Sequence, residues 1–150
     1  MPITKSITID TPAKTVWAVL YDRLENMEDY HAEVAYCELE KRAAGGYLRR
    51  MEMGDNQITE LVHIDREAGT IKQGLVKHPH FKGSILTKVS EQGGATELTL
   101  EQGWEPTSAM AQGTDLAPNV EATLRQIKQT AEDAPEDIED KLSADDTGEA

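Results

Sequence analysis

"YLRRMEMGDNQITELVHI", residues 47 to 64, holds two strand-like runs on either side of Gly54-Asp55-Asn56. Gly, Asp and Asn are the residues that tight hairpin turns demand, so the stretch predicts two antiparallel strands. Alternation puts Tyr47, Arg49, Met51 and Met53 on one face, and Ile58, Glu60, Val62 and Ile64 on the matching face of the second strand. That face is mostly apolar, yet it carries a full charge of each sign. A charge in an apolar interior is costly unless it is paired and hydrogen-bonded. The rest of the chain decides what kind of interior this is.

The period of two begins at residue 34 and continues to residue 104. It gives six strand candidates in succession: "VAYCELEKR", "YLRRMEM", "QITELVHID", "TIKQGLVKH", "FKGSILTKVSEQ" and "ATELTLEQGW". Turn formers separate them, at Gly45-Gly46, Gly54-Asp55-Asn56, Glu67-Ala68-Gly69, His78-Pro79-His80 and Gly93-Gly94. Such short connections imply an antiparallel meander. Upstream, "ITKSITID" alternates Ile3, Ile7 and Ile9 with polar residues as a further strand. "DTPAKTVWAVLYDRLEN" then reads as a helix, with Thr11 as its cap, Pro12 at its first position and an apolar stripe of Val16, Val19 and Leu20 beside Trp17. "MEDYHAEV" reads as a second short helix. Downstream of an irregular stretch at 105–117, "NVEATLRQIKQTAED" sets Val120, Leu124, Ile127 and Ala131 on one helical face, with a further turn or two after Pro135. The order predicts an α+β fold: a seven-stranded antiparallel curved sheet, two short helices after its first strand, and a long C-terminal helix over its concave face. A helix closing over a curved sheet tends to leave a cavity.

Bulk composition sets limits on partners. The chain has 150 residues and a net charge of −13, with 38% hydrophobic residues. Its length fits one domain with a substantial core. The acidic run "AEDAPEDIEDKLSADDTGEA" cannot bury enough apolar surface to order itself by packing, so the expected division is a folded domain at 1–133 and a flexible acidic tail at 134–150. So acidic a chain repels phosphate backbones and anionic membrane surfaces, which argues against nucleic acid as a partner. The single cysteine, Cys37, leaves no internal disulfide and fits a reducing cytoplasm. The start "MPITKSITID" lacks the pattern of a secretory signal, and no run approaches the roughly 18 apolar residues of a membrane helix.

The element order, with "ITIDTPAKTVWAVLYDRLEN" at the start, resembles the helix-grip fold of the START-like, SRPBCC or Bet v 1-like superfamily. Within it, the segment around "YLRRMEMGDNQITELVHI" is most similar to the AtaL-like family of small bacterial and fungal proteins. The resemblance spans about residues 1 to 133 and is chiefly topological, so no catalytic motif transfers residue by residue. It implies a hydrophobic small molecule or lipid in the cavity, and some branches are polyketide cyclases, dehydratases or ring-hydroxylase components. A fold by itself does not choose among these.

Pairing parity nominates the cavity wall. With Asp55-Asn56 as a tight turn, Met51 falls opposite Glu60 and Arg49 opposite Val62, leaving Arg49 and Glu60 as diagonal neighbours. With Glu67-Ala68 closing the next hairpin, Gln73 falls opposite Val62 and Leu75 opposite Glu60. Phe81, Ile85, Thr87 and Val89 point inward from one strand, and Leu98, Leu100, Gln102 and Trp104 from the last. Cys37 and Leu39 come from the strand after the helices. The candidate ligand contacts on the sheet are Arg49, Met51, Glu60, Val62, Gln73, Leu75, Ile85, Thr87, Leu100, Gln102 and Trp104, and Leu124 and Ile127 join them from the final helix. The polar members are few, as a small-molecule pocket requires. Arg49 and Glu60 either form a structural bridge, or hold a ligand's carbonyl, hydroxyl or carboxylate, or one of them faces solvent through a slipped register.

Other residues carry less. "HPH" at 78–80 is a polar turn without a further ligand at metal spacing, and His63 falls on the convex side. Cys37 has no identifiable base beside it and reads as a small buried hydrophobe. Trp17, Trp104 and Tyr47 read as core or cavity wall. There is no phosphate-cradling glycine loop and no Gly-x-Ser-x-Gly elbow, which argues against nucleotide enzymes and hydrolases, and no cofactor or metal is predicted. The leading reading is a module that binds a hydrophobic or amphipathic, lipid- or polyketide-like molecule. Its rival is a cyclase or dehydratase with Glu60, beside Arg49, as general acid or base. A third reading is a packed domain whose cavity is too small for any ligand and whose acidic surface meets another protein.

Overall fold

A computed structural model of the chain describes residues 2–138. Strand β1 (Ile3–Ile9) leads into helix α1 (Ala13–Glu25) and a 3-10 turn at Met27–Asp29. Strands β2 (Val34–Lys41), β3 (Tyr47–Met53), β4 (Asn56–Asp65) and β5 (Thr70–Lys77) follow as hairpins. After them come β6 (Phe81–Lys82), β7 (Ser84–Gln92), β8 (Ala95–Gln102) and β9 (Glu105–Pro106), a 3-10 turn at Ala109–Ala111, and helix α2 (Ala117–Asp133).

Seven strands form one sheet in the order β1-β8-β7-β5-β4-β3-β2, antiparallel throughout. β1 and β2 are therefore opposite edges, and α1 carries the chain from one to the other. The predicted face of α2, with Val120, Leu124, Ile127 and Ala131, is its buried face. It packs in one apolar cluster with Ile9, Val16, Trp17, Leu20, Tyr47, Val62, Ile71 and Leu98. Helix α1 is buried along most of its length, from Thr15 through Tyr21 and again at Arg23 and Leu24. It shares the covering of the sheet with α2, a part the sequence reading had assigned to α2 alone. Ile138 also packs on this cluster. The rest of the acidic segment, from residue 139, lies outside the described residues.

Four local readings change. The residue before α1 is Pro12, with no side-chain cap, and the Thr11 hydroxyl is instead buried without a partner. The second short helix is only the 3-10 turn at Met27–Asp29. Phe81 belongs to a separate two-stranded ribbon, β6 with β9, rather than to the inner face of β7. The break falls at Gly83, whose φ of +115° suits glycine and whose missing Cβ would lie 2.4 Å from the Gly103 carbonyl oxygen.

The fourth change concerns register. Met53 pairs with Asn56, so the hairpin loop is Gly54-Asp55 rather than Asp55-Asn56. Gly54 supplies the positive φ, +59°, that a glycine-first two-residue hairpin requires. The pairing accordingly slides by two residues: Arg49 stands directly opposite Glu60, Met51 opposite Ile58 and Tyr47 opposite Val62. A two-residue slide keeps every side chain on its predicted face. The next hairpin has the predicted register, with Glu60 opposite Leu75 and Val62 opposite Gln73.

Because Gly83 combines a left-handed backbone with a close approach to backbone, Gly83→Ala should destabilise the fold by more than about 1 kcal/mol. Urea unfolding would measure it, and a neutral result would mean that the β6–β9 ribbon is not pinned at this point.

Candidate functional site

Between the concave face of the sheet and the two helices lies a cavity of about 200 Å³. Its apolar wall comes from Leu20 and Leu24 on α1, Met51 on β3, Ile71 on β5, Ile85 on β7, Leu100 on β8, and Val120 and Ile127 on α2. Alternation explains the strand residues, since each lies on the concave face. Exposed Asn119 together with Met27, Met53 and Thr123 marks where the cavity meets solvent.

Across this apolar floor runs a belt of polar side chains. Arg49 on β3 and Glu60 on β4 are 4% and 2% exposed. Arg49 Nη1 donates to Glu60 Oε1 at 3.0 Å, and Gln73 Nε2 donates to the same oxygen at 3.2 Å. Thr87 and Gln102 continue the belt on β7 and β8, where Thr87 pairs with Leu100 and Ile85 with Gln102. The belt thus crosses five neighbouring strands of the sheet.

Arg49 does more than meet Glu60. Its Nε donates to the Leu24 carbonyl at 2.9 Å and its Nη2 to the Arg23 carbonyl at 2.9 Å. These carbonyls belong to the last turn of α1, where a helix has no internal donors left to offer. The negative end of the helix dipole lies there as well. A guanidinium from a remote strand therefore caps the helix, and the Cys37 thiol adds a contact to the Leu24 carbonyl at 3.3 Å. Arg49 is spent on two carbonyls and one carboxylate. Glu60 directs both of its bonds through Oε1; no group among the described residues bonds Oε2, which is not sealed off from the cavity.

Trp104 lines the far side of the belt. Its backbone N–H donates to Gln102 Oε1 at 2.9 Å, and its ring lies 5.2 Å from His78 and 5.4 Å from Phe81. The indole Nε1 is buried and has no acceptor. Burial, with the nearby His80 as a lesser cause, lowers the pKa of His78, while Glu60 acts the other way. "HPH" is therefore a structured aromatic corner, with His80 Nδ1 bonded to Ser108 Oγ at 2.8 Å, and no metal-binding group of His, Cys, Asp or Glu occurs among the described residues.

Of the thirteen residues nominated from sequence, ten line this cavity: Arg49, Met51, Glu60, Gln73, Ile85, Thr87, Leu100, Gln102, Trp104 and Ile127. Val62 and Leu124 are buried in the core beneath its surface. Leu75 stands opposite Glu60 but outside the wall, because β5 has an extra residue at Val76 that breaks the pairing, and such a bulge bends the strand. Sequence reasoning missed Leu20, Arg23, Leu24 and Met27, since it placed α1 outside the cavity. The signal was present: an arginine and a methionine continue the apolar stripe of that helix.

The bridge sets a clear thermodynamic expectation. Arg49→Met removes one partner of a buried pair and two helix caps, and should cost about 3–5 kcal/mol by chemical denaturation. The double variant Arg49→Met/Glu60→Leu should recover only part of it, because the α1 carbonyls remain uncapped. Full recovery would show that the capping bonds contribute nothing.

With the geometry described, comparisons with known proteins add a frame. No curated protein matches the chain in sequence. Among solved structures it is similar to the Zhui aromatase/cyclase from Streptomyces sp. R1128, at 19% identity and a TM-score of 0.72, over 88% of this chain and 93% of that one. It is also similar to a START superfamily protein from Mycobacterium smegmatis, at 17% identity and a TM-score of 0.66, over 87% and 94%. A truncated norcoclaurine synthase from Thalictrum flavum aligns at 11% identity and a TM-score of 0.69, over 90% and 95%. At such identities these structures speak for the helix-grip fold, and none of them singles out the AtaL-like branch. The family model described as polyketide cyclase / dehydrase and lipid transport matches residues 2–132. The match takes in every strand of the sheet and nearly all of α2, and the chain accordingly belongs to the polyketide cyclase / dehydrase and lipid transport family.

Proposed function

We propose that the protein encloses one compact amphipathic molecule in the cavity between its sheet and helices. The observation that carries this reading is the enclosed space between sheet and helices, bordered by only a few polar side chains. The wall around it is apolar, and the Arg49–Glu60–Gln73 bonds hold the floor rigid without a guest. Size narrows the class further. A cavity of about 200 Å³ exceeds the roughly 150 Å³ that admits benzene and falls short of the roughly 300 Å³ at which drug-sized sites begin. One or two rings, or a short acyl chain, match that space.

A catalytic reading draws on a separate observation, the second oxygen of Glu60. It borders the cavity, takes no bond from the described residues, and sits on a carboxylate whose other oxygen is fixed by Arg49 and Gln73. A carboxylate held in one orientation is what a general base in cyclisation or dehydration needs. The family includes cyclases and dehydratases, and the similar Streptomyces protein is an aromatase/cyclase.

Native mass spectrometry of protein purified from its own host should show a single bound small molecule. Ile85→Trp, which puts a bulky ring into the cavity, should weaken that complex about tenfold, with thermal unfolding checking that the variant is folded. Unchanged affinity in that variant would overturn the reading. Glu60→Gln separates the two functions: binding retained with turnover abolished supports the acid–base role, and no effect on either leaves Glu60 as part of the bridge.

A further inference from the structure

Charge around the cavity does not balance. The Arg49 and Glu60 charges cancel in their salt bridge. Arg23 on α1 also lines the cavity and is only 8% exposed, and no carboxylate pairs with it among the described residues. Its Nη1 donates to the Gln126 side-chain oxygen on α2, and its guanidinium carbon lies 5.1 Å from the centre of the Tyr30 ring. The nearest acid in sequence, Asp22, is engaged elsewhere, with Tyr30 Oη on one oxygen and Asn26 Nδ2 at 2.9 Å on the other. Burial lowers the Arg23 pKa to about 10, with the Arg49 charge as the second cause, so the group stays cationic at neutral pH. A chain of net charge −13 has thus placed one unpaired positive charge in the wall of its cavity.

A buried charge without a counter-charge is costly, and a chain with 28 acidic residues had many to offer. The Arg23 donors point to where the counter-charge sits. Gln126 occupies Nη1 alone; Nε and Nη2 have no acceptor among the described residues, and neither is among the sealed-off polar atoms. The Nε–Nη2 edge is one of the two forks that grip a carboxylate with paired hydrogen bonds. One surplus positive charge matches a monoanion, whereas a phosphate monoester brings nearly two negative charges.

We propose that the ligand's polar end is a carboxylate, bound to the Nε–Nη2 edge of Arg23, and that this ion pair selects acids over their neutral analogues. The proposal rests on the ligand-binding reading above and names the class of guest: a small carboxylic acid with an apolar body of one or two rings or a short chain. Gln126 and Tyr30 hold the guanidinium in place; Gln126 Nε2 donates to the Tyr30 carbonyl at 2.9 Å and so ties α2 to the segment after α1.

The test compares 2-naphthoate and octanoate with 2-naphthamide and octanamide by titration calorimetry, on the full chain. At least one acid should bind ten times or more tightly than its amide. In Arg23→Met that preference should fall to less than threefold, through loss of acid affinity, with the amide unchanged. Arg23→Lys should retain part of the preference, which a purely structural arginine would not do. Equal affinities for acid and amide in the unaltered protein would overturn the carboxylate proposal while leaving the cavity reading intact, and this comparison needs no variant to fold. A preference that survives Arg23→Met would overturn it too. Absence of binding by all four probes would count against the cavity reading and the carboxylate together.

Discussion

The Arg49 guanidinium is the joint on which the site is built. It lies on the floor of the sheet, bonds a carboxylate on the next strand, and reaches up to the two carbonyls that end α1. Each acceptor has its own need: a buried carboxylate must have a cation, and the last carbonyls of a helix must have donors. One planar, permanently charged group with a fixed fork of donors meets all of them at once. A lysine would place a single point charge there and could not serve three acceptors spread around a plane. With that joint in place, α1 is held at a fixed height above β3 and β4, and the space beside it stays open.

This arrangement joins two alternatives that sequence reasoning kept apart. The charge pair is a structural bridge and at the same time part of a cavity wall. Because Arg49 and Glu60 satisfy each other, the cavity does not require a guest to neutralise its floor. What it leaves without a counter-charge lies at one margin, in the Arg23 guanidinium. Arg23 lies in the last turns of α1, and Trp104 lines the cavity from the segment after β8. An apolar body between an aromatic wall and a cation has a defined orientation, and that is how a small pocket gains specificity. Among the described residues no helix is long and apolar enough to cross a membrane.

Much of this was legible because strand alternation is robust. Arg49, Glu60, Gln73, Thr87 and Gln102 were assigned to one face by period alone, and a two-residue register error in the β3–β4 hairpin could not move them off it. That error came from reading Asp55-Asn56 as the turn, when the glycine at the first loop position has the stronger conformational claim. The helical side was harder to read. Arg23 continues the apolar stripe of α1, but its position alone does not say what covers it; Gln126 of α2 docks against it in the fold. Likewise, nothing local marks Arg49 as a helix cap, since its partners are 25 and 26 residues away in sequence. Alternation reports which face a residue takes, whereas capping and burial by a distant element depend on how separate elements dock. The bulge at Val76, which removes Leu75 from the wall, is similarly silent in the sequence pattern.

The central claim is that the cavity receives its guest while the Arg49 joint stays closed. Solution NMR of the protein titrated with 2-naphthoate reads both halves in one experiment. The account predicts large shifts of the Ile71, Ile85, Leu100 and Ile127 methyl signals, with the Arg49 Nε–H signal retained and protected from exchange throughout. Methyl signals that do not move, or an Arg49 Nε–H that is lost as the ligand binds, would contradict it.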